Sequence, residues 1–358
     1  MRAKFLPLCI TSPALLKAVL VAASTNLVHC GLHDSRIVAI CRGGAIRLIN
    51  DALQDKYRAV EDATIAAVVH LAFAELMNGD LASWEVHMKG LEKMIEMKGG
   101  PQSLGLDGLM HHIIYSIDYC GATMNQTNPR FTPLREPLTS IPQLLFQGCP
   151  YVAIGPGIRT LANSSSISKE LVNILEDMSY LTTFLELPSQ SSTMTQQMRY
   201  FDALSLIEHR ILSVPMGNDT QYGAFNGGNI DETCRLAALI YINRVFRELQ
   251  LTSAVHATLA NRLRILLMQT DFKSCWGTLS EALLWVLFIG SSVAMQEPTK
   301  SWLMFALENV CSHLKLQSWC NARDILSKYL WCDRIWEERC KSIWGYVNLR
   351  KQHLTVLS

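Results

Sequence analysis

Apolar residues recur along most of the chain at intervals of three and four positions, the spacing that places side chains on one face of an α-helix. The segment 71–98 shows the pattern most clearly, as two helical stretches joined by an Asn-Gly-Asp turn at 78–80. Asp80 or Ser83 can accept hydrogen bonds from the first amides of the second stretch, and Lys98, before two glycines, marks its end. The pattern predicts a helical hairpin here.

The second stretch of this hairpin carries side chains that share one helix face, namely Trp84, His87, Leu91, Met94 and Ile95. Gly90 lies within the same stretch, where a glycine costs about 1 kcal/mol relative to alanine. The usual reason for a glycine at such a position is the close approach of a neighbouring helix. We therefore expect a second helix to pack closely at Gly90.

Glu75 lies in the otherwise apolar first stretch of the hairpin. A buried carboxylate requires a partner, so we expect Glu75 to hydrogen-bond to His87 or to the Trp84 indole and to clamp the two helices. A role as a general base would require a second reactive group and a pocket, and the sequence supplies neither. His87 has two alternatives, a metal ligand or a hydrogen-bond donor between packed helices, and the second is the more common role.

The same spacing predicts helices along the remaining chain. No segment shows the sustained alternation with β-branched residues that indicates a strand. The predicted fold is all-α, a multi-helix bundle or a solenoid-like array of antiparallel helix pairs. The predicted helices lie near residues 12–27, 34–53, 61–78, 110–124, 169–187, 196–212, 231–251, 256–270, 279–295, 299–316, 321–330 and 336–349.

Six prolines between residues 125 and 160 mark the main interruption of this helical pattern. Proline removes a backbone donor and breaks helices, so the segment is predicted to be a long connection. Two further polar breaks lie at 188–195 and 215–229. We therefore predict an N-terminal helical part at 1–124, a proline-rich connection at 125–160 and a C-terminal helical part at 161–358.

Composition indicates a chain that can bury a large core, because 49% of its residues are hydrophobic and 18% are charged. The net charge is +1 and no run of lysine and arginine stands out, which argues against nucleic-acid binding by this chain alone. The N-terminus lacks the pattern of a signal peptide, and the longest apolar run, 282–294, is too short to span a bilayer. We expect a soluble protein.

The eleven cysteines are scattered singly, and no Cys-x-x-Cys pair occurs. Several lie in apolar helical patterns, which predicts buried, reduced thiols in a cytosolic or nuclear protein. The adjacent histidines His111 and His112 would point about 100° apart on a helix, so one metal ion rarely binds both. The sequence therefore predicts no metal site and no cofactor.

The sequence also lacks a recognisable catalytic constellation. It contains no Gly-x-Ser-x-Gly nucleophile elbow, no His-Glu-x-x-His zinc motif and no phosphate loop. The segment 155–160 is rich in glycine, but it lacks the third glycine of a dinucleotide site and is predicted to be a simple turn. We predict no catalytic residues and expect the protein not to be an enzyme.

The second half of the chain holds two features that can be structural or functional. Seven of the eight tryptophans lie after residue 270, where a large core is the common explanation and an apolar ligand cavity or a partner contact are the alternatives. Within this group, Trp331 and Trp336 are where we expect an interface. Arg235 with Asp231 and Glu232 is interpreted as a helix cap with a surface ion pair.

Three segments, 75–100, 232–243 and 283–290, together resemble the regulatory region of fungal zinc binuclear-cluster transcription factors. The first contains the pattern Trp-x-x-His-x-x-Gly-Leu-x-x-Met-Ile-x-x-Lys-Gly-Gly, and the third is followed by Trp302. Their occurrence in the expected order is more specific than any one of them. The matching residues, to which the resemblance assigns structural roles, are Glu75, Trp84, His87, Gly90, Gly99, Gly100, Arg235, Tyr241, Trp285 and Gly290.

The resemblance implies a transcription regulator whose helical region controls activity through effector sensing, intramolecular restraint or contacts with co-regulators. Such proteins commonly govern genes of nutrient use or secondary metabolism. The DNA-binding module of the family needs six closely spaced cysteines, and no spacing in this sequence fits it. Either the gene model has lost its first exons, or the protein acts without DNA contact, for example by pairing with a full-length relative.

The expected partners are transcriptional co-regulators or a full-length family relative, together with a small-molecule effector. DNA is expected as a partner only if a zinc cluster is supplied, and no membrane is expected. The expected location is the nucleus, with the cytoplasm as the alternative. A hypothesis from another class is a helical small-molecule-binding protein or enzyme with a lipophilic cavity between helices, which the tryptophan-rich second half would suit.

Overall fold

The computed structural model describes residues 2–29, 35–134, 140–146, 155–187, 193–214 and 227–356. The regular structure of these residues is helical throughout, which confirms the predicted all-α fold. The helices are α1 Arg2–Thr11, α2 Pro13–His29, α3 Ser35–Leu53, α4 Asp62–Asn78, α5 Leu81–Lys98, α6 Leu109–Asn125, α7 Ile141–Leu145, α8 Pro156–Ala162, α9 Lys169–Glu186, α10 Met194–Ser213, α11 Gly227–Tyr241, α12 Ala254–Met268, α13 Ser280–Val293, α14 Thr299–His313, α15 Trp319–Leu326 and α16 Asp333–Val356.

Most helices begin and end close to their predicted bounds, because capping residues and glycines near the predicted ends act as the sequence indicates. Ser12 accepts a hydrogen bond from the Leu15 amide at 3.3 Å, which fixes the start of α2. Helix α1 was not predicted, since Pro7 lies inside it. The predicted proline-rich connection contains α7 and overlaps α8, each with a proline in its first turn, where the missing donor is tolerated.

The predicted helix at 231–251 has different limits in the structure. Helix α11 begins earlier, at Gly227, and gives way after Tyr241 to a π-helical turn, Ile242–Phe246. Glu248 then adopts a φ of 52°, which ends the helical path. Of the two further predicted breaks, 188–195 and 215–229, most residues lie outside those that the structure describes.

One compact unit comprises residues 1–138, 191–212 and 252–255. Helix α4 lies at its centre and packs against α2, α3, α5 and α6. Its sequence explains this position, because eleven of its residues, including Glu75, are buried and apolar side chains occur on all of its faces. The unit is therefore built around the first helix of the predicted hairpin.

The other compact unit comprises residues 139–190, 213–251 and 256–358. Its central helix is α13, which packs against α8, α11, α14, α15 and α16. Every residue from Ala282 to Val293 is buried, as expected for a helix that is apolar on all sides. The longest apolar run of the sequence is thus a core helix.

Among the described residues, no single helix has both the length and the apolar character needed to cross a membrane, although the bent pair Phe5–Thr11 and Pro13–Val28 meets these criteria when taken together.

Candidate functional site

The hairpin of α4 and α5 carries the first motif, and local chemistry fixes both of its ends. Asp80 caps α5, since its Oδ1 accepts a hydrogen bond from the Ser83 amide at 3.0 Å. Gly79 in the turn has a φ of 76°, in the left-handed region that glycine adopts without steric cost. Gly99 and Gly100, with φ of 106° and 97°, end the hairpin. The predicted turn and cap are confirmed.

Glu75 is 1% exposed and forms an ion pair with Arg42 of α3, whose Nη2 lies 2.7 Å from Oε1 without the alignment of a hydrogen bond. The Nε2 atom of His87 lies 3.9 Å from the same oxygen, too far for a hydrogen bond. The Trp84 indole has no hydrogen-bond partner among the described residues. The two partners expected for Glu75 were therefore wrong, because an arginine from a third helix neutralises the carboxylate.

Burial sets the protonation of this cluster. It raises the pKa of Glu75, and the Arg42 guanidinium opposes that rise. Burial and the same guanidinium lower the pKa of His87, so its imidazole is neutral at pH 7. With its carboxylate already paired and its imidazole neutral, the cluster is suited to holding α3 against the hairpin.

Trp84 packs where α5 meets α6. A Cβ placed on Gly121 of α6 would overlap the Trp84 ring, so glycine at this position makes the contact possible. A Cβ on Gly90 meets no atom within 4 Å, and Gly90 is exposed. The close approach predicted at Gly90 was therefore wrong. It occurs at Gly121, because α6 packs on the buried face of α5 and Gly90 lies on the opposite side.

Arg130 covers the outer side of the same contact. Its guanidinium carbon lies 5.6 Å from the centroid of the Trp84 ring, the geometry of a cation–π interaction. It also forms ion pairs with Glu85 and with Glu92 of α5. The charged side chain thereby shields the indole and fixes the segment after α6 against α5.

Asp118 of α6 anchors that segment from within. Its Oδ2 accepts hydrogen bonds from the backbone amides of Arg130 at 2.7 Å and Phe131 at 3.0 Å. The side chain is 1% exposed, and its Oδ1 has no hydrogen-bond partner among the described residues. Burial raises the pKa of Asp118 to about 6, although both amides oppose the shift. The carboxyl therefore titrates at mildly acid pH.

The second motif lies on α11. Arg235 is 4% exposed and donates from Nε and Nη2 to the two oxygens of Glu232 at 2.6 and 2.7 Å. The surface pair predicted here was wrong, because this bidentate pair is largely buried. Asp231 does not cap α11, which begins four residues earlier, and instead accepts from the Ser168 amide at 2.7 Å. It thus joins α11 to the start of α9.

The remaining motif residues are buried in the same unit. The hydroxyl of Tyr241 lies 3.1 Å from that of Thr182 on α9. The Trp285 indole donates to a backbone carbonyl of the segment before α16 at 3.0 Å. A Cβ on Gly290 would lie 2.5 Å from a methyl of Leu263, so glycine allows α12 to approach closely. Tyr241 and Trp285 thus bond to other segments of this unit, and Gly290 makes room for α12.

The adjacent histidines form a buried polar cluster with α10. His112 lies 3.3 Å from Asp202 through Nε2 and 3.5 Å from the Ser205 hydroxyl through Nδ1. Burial and the neighbouring His112 lower the pKa of His111 to about 4. The space beside these groups is about 10 Å³, enough for about one water molecule and too small for an acyl substrate. The serine, histidine and aspartate therefore form a core network in this structure.

Metal binding has no support in the part of the chain that the structure describes, where no three His, Cys, Asp or Glu side chains are grouped to hold an ion. The cysteines described there are free thiols, and most are buried. Burial raises the pKa of Cys234 and Cys340 well above the usual range. These thiols are thus protonated and behave as small apolar core residues.

The late tryptophans mainly fill the core. Trp276, Trp285 and Trp336 are at most 1% exposed. Trp331 is half-buried and donates to Asp333 at 2.6 Å. Trp336 faces the core near the start of α16, so the interface predicted at Trp331 and Trp336 cannot include Trp336.

Arg42, Arg130 and Asp118 are the important residues that sequence reasoning missed. Asp118 carried a signal, since it is the single acidic residue of the apolar helix α6, as Glu75 is beyond the first turn of α4. The two arginines carried none, because arginine side chains are usually solvent-exposed. Their roles depend on which helices pack together.

The described residues define a class of protein: an all-α fold in which buried polar side chains connect neighbouring helices of the same chain. Within the chain, the sequence model described as the fungal specific transcription factor domain matches residues 1–342, and the chain belongs to this family. The resemblance stated from the sequence is thereby confirmed. Comparisons with curated proteins and with solved structures gave no match.

Proposed function

We propose that this chain is the regulatory region of a nuclear transcription regulator and that its activity responds to an effector or to co-regulators. The observation that carries the proposal is the family match over residues 1–342, which includes all three motifs. Because the resemblance implies control of nutrient use or secondary metabolism, we propose genes of that class as the targets. We assign the buried motif residues the role of holding the helices against one another.

DNA contact, in this proposal, is made outside these 358 residues, by another part of the same protein or by a second protein. The sequence has no six closely spaced cysteines, and its net charge is +1. An apolar stripe on α2, formed by Leu16, Leu20 and Leu27, is 39–45% exposed. The three leucines share one face of α2 by their helical spacing, and a contiguous exposed apolar face can mark a contact with another protein. We propose that a full-length family relative packs on this stripe and brings the chain to promoters.

A tethering assay tests the proposed regulatory role. The full chain is fused to an unrelated DNA-binding domain, and transcription of a reporter with matching binding sites is measured in a fungal host. We expect the fusion to raise or lower transcription relative to the DNA-binding domain alone. Equal transcription from the two proteins, at equal amounts in the nucleus, would refute the proposal.

A further inference from the structure

Helices α2 and α3 pack closely on each other, and together they present a row of exposed aliphatic side chains. Only the residues 30–34 connect the two helices in the sequence, so the helices run antiparallel. The exposed aliphatic residues of the pair are Leu16, Leu20 and Leu27 of α2 and Ile37 and Ile40 of α3. We call the surface that carries them the α2–α3 face.

One close contact shows how the two helices align on this face. The Nζ atom of Lys17 on α2 lies 2.7 Å from the position that a Cβ on Gly44 of α3 would occupy. Leu20 follows Lys17 by three positions and Ile40 precedes Gly44 by four, so Leu20 and Ile40 are at about the same level. Ile40 is 75% exposed and projects from the fold. The aliphatic side chains of the two helices therefore lie beside each other.

Two glycines lower the surface of α3 next to Ile40. A Cβ on Gly43 would meet no atom within 4 Å, and Gly43 is exposed. The space of the missing Gly44 side chain is taken by the Lys17 ammonium. Positions without side chains allow another backbone to come close. The face thus has a shallow depression flanked by aliphatic side chains.

The charges of α2 and α3 have one sign. Residues 13–29 and 35–50 contain no aspartate or glutamate. The basic residues of these segments are Lys17, Arg36, Arg42 and Arg47. Lys17 and Arg47 are exposed, and neither has an ion-pair or hydrogen-bond partner among the described residues. Arg47 lies two turns after Ile40 on the same side of α3. Two cations are therefore available to a partner beside the aliphatic side chains.

This charge and shape argue against two other occupants. A second copy of the chain would bring the same two cations to a symmetric contact and be repelled. A helix that lies in a membrane surface buries its apolar side about 5–10 Å into the bilayer. The three leucines of α2 are more than half covered by the fold, so they form a surface and do not project. A protein segment with carboxylates and aliphatic side chains matches both features.

We infer that the α2–α3 face binds an acidic amphipathic helix, whose aliphatic side chains pack on the face and whose carboxylates pair with Lys17 and Arg47. Amphipathic helices bind apolar surfaces through side chains at three- and four-residue steps. The inference deepens the contact proposed for α2. It rests on the proposed function in one respect, that the acidic helix would belong to the family relative.

Fluorescence anisotropy with the purified full chain tests the inference. The probe is a labelled peptide of about 15 residues, or about four helical turns, with leucine at three- and four-residue steps and glutamate elsewhere. The control peptide has lysine in place of every glutamate. We expect saturable binding of the glutamate peptide, at least tenfold tighter than that of the lysine peptide. Equal affinities, or no binding of the glutamate peptide, would overturn the inference.

Matched variants assign the binding to the face. Ile40→Glu, and separately the double variant Lys17→Glu with Arg47→Glu, should each weaken binding of the glutamate peptide at least tenfold. The double variant should also bind the lysine peptide more tightly than the parent chain does. Ile265→Glu and Lys341→Glu change exposed residues of the other unit and should leave both affinities unchanged. Unchanged affinity in both face variants would overturn the inference.

Two further measurements identify the other occupants. The first is sedimentation with vesicles of phosphatidylserine and phosphatidylcholine. Vesicle binding that the double variant abolishes, without binding of the glutamate peptide, would assign the face to a membrane and overturn the inference. The second is analytical ultracentrifugation. A dimer that Ile40→Glu dissociates, without binding of the glutamate peptide, would assign the face to a second copy and also overturn it.

The peptide titration and the tethering assay fail separately. Binding of the glutamate peptide by a chain that does not alter reporter transcription would support the α2–α3 face and refute the regulatory role. Altered transcription from a chain that does not bind the glutamate peptide would leave the regulatory role in place and refute the inference.

Discussion

At the scale of single residues, two glycines on neighbouring helices serve different purposes. Gly121 leaves the space that the Trp84 ring occupies, whereas the space around Gly90 is open to at least 4 Å. Both lie inside helices, where glycine carries the same conformational cost relative to alanine. The surroundings alone therefore decide how an alanine at each of the two positions changes the stability of the fold.

We predict opposite stability changes for alanine at these glycines. Gly121→Ala should lower the free energy of unfolding by about 1–3 kcal/mol, because the added methyl must displace the Trp84 ring. Gly90→Ala should raise it by up to about 1 kcal/mol, because the helix gains propensity without a clash. Chemical denaturation followed by tryptophan fluorescence measures both. A Gly90→Ala chain destabilised as strongly as Gly121→Ala would contradict the packing described here.

Asp118 gives the stability a pH dependence of defined sign. Its pKa is raised from 3.8 to about 6 in the folded chain, so the folded state holds more protons than the unfolded state between these values. Stability from this group is present below pH 4 and is lost as the pH rises through 6. The shift of about two pKa units corresponds to about 3 kcal/mol.

We therefore predict that Asp118→Asn removes this part of the pH dependence. The asparagine oxygen can still accept from the amides of Arg130 and Phe131, while the charge is absent at every pH. The stability of the variant relative to the parent chain should rise between pH 4 and pH 6, as measured by urea denaturation across that range. A constant difference between the two chains would show that Asp118 does not titrate there.

Several of these residue roles could be predicted from the sequence, and others could not. The cap at Asp80 and the glycines that end the hairpin depend on a few neighbouring residues, so local patterns were sufficient. The burial of Glu75 was also expected from its apolar surroundings. Its partner Arg42 lies on a different helix, 33 positions earlier, and only the packing of α3 on α4 brings the two together.

At the scale of elements, the ion pair between Arg42 and Glu75 joins α3 to the hairpin. Glu75 is 2% exposed at its side chain and Arg42 is 38% exposed, so the pair is buried at one end. Breaking such a pair costs more than it contributes, because a charge is left in the core without its partner. Arg42 therefore keeps α3 on the hairpin mainly because its removal would leave the buried Glu75 charge unpaired.

A double-mutant cycle measures this coupling. Arg42→Met should destabilise the chain by about 2–4 kcal/mol, because the Glu75 carboxylate loses its counter-charge. The same change in a Glu75→Gln background should cost much less, giving a coupling energy of at least about 1 kcal/mol. A second cycle that combines His87→Ala with Glu75→Gln should show weaker coupling, since His87 Nε2 lies 3.9 Å from the Glu75 carboxylate. Additive effects of Arg42→Met and Glu75→Gln would contradict the assigned pair.

Element boundaries show where local patterns stop being informative. Helix α2 starts where Ser12 and Pro13 predict, because the signal acts on the next few amides. Helix α11 ends at a π-helical turn that its apolar spacing did not reveal. There the Asn243 side-chain amide donates to the Leu239 carbonyl at 2.8 Å, and the backbone carbonyl of Asn243 accepts from the Leu249 amide at 2.9 Å. These bonds follow from the local path of the folded chain.

At the scale of the whole molecule, the chain is an all-α member of the fungal specific transcription factor domain family. Each of the two units has a central apolar helix, α4 in one and α13 in the other. Both central helices contain buried motif residues, Glu75 in α4 and Trp285 and Gly290 in α13. The fold class followed from hydrophobic spacing and the family from three motifs. The polar cleft beside α12, lined by residues from 257–262 and 294–299, could not be foreseen, because its two walls come from separate parts of the chain.

Reporter transcription driven by the tethered full chain decides whether this chain is a regulatory region. The design compares the DNA-binding domain alone, its fusion to the parent chain, and fusions carrying Gly121→Ala or Gly90→Ala, at equal nuclear amounts. We predict that the parent and Gly90→Ala fusions change transcription severalfold and that the Gly121→Ala fusion has a weaker effect. If no fusion changes transcription relative to the DNA-binding domain alone, the chain is not the regulatory region described here.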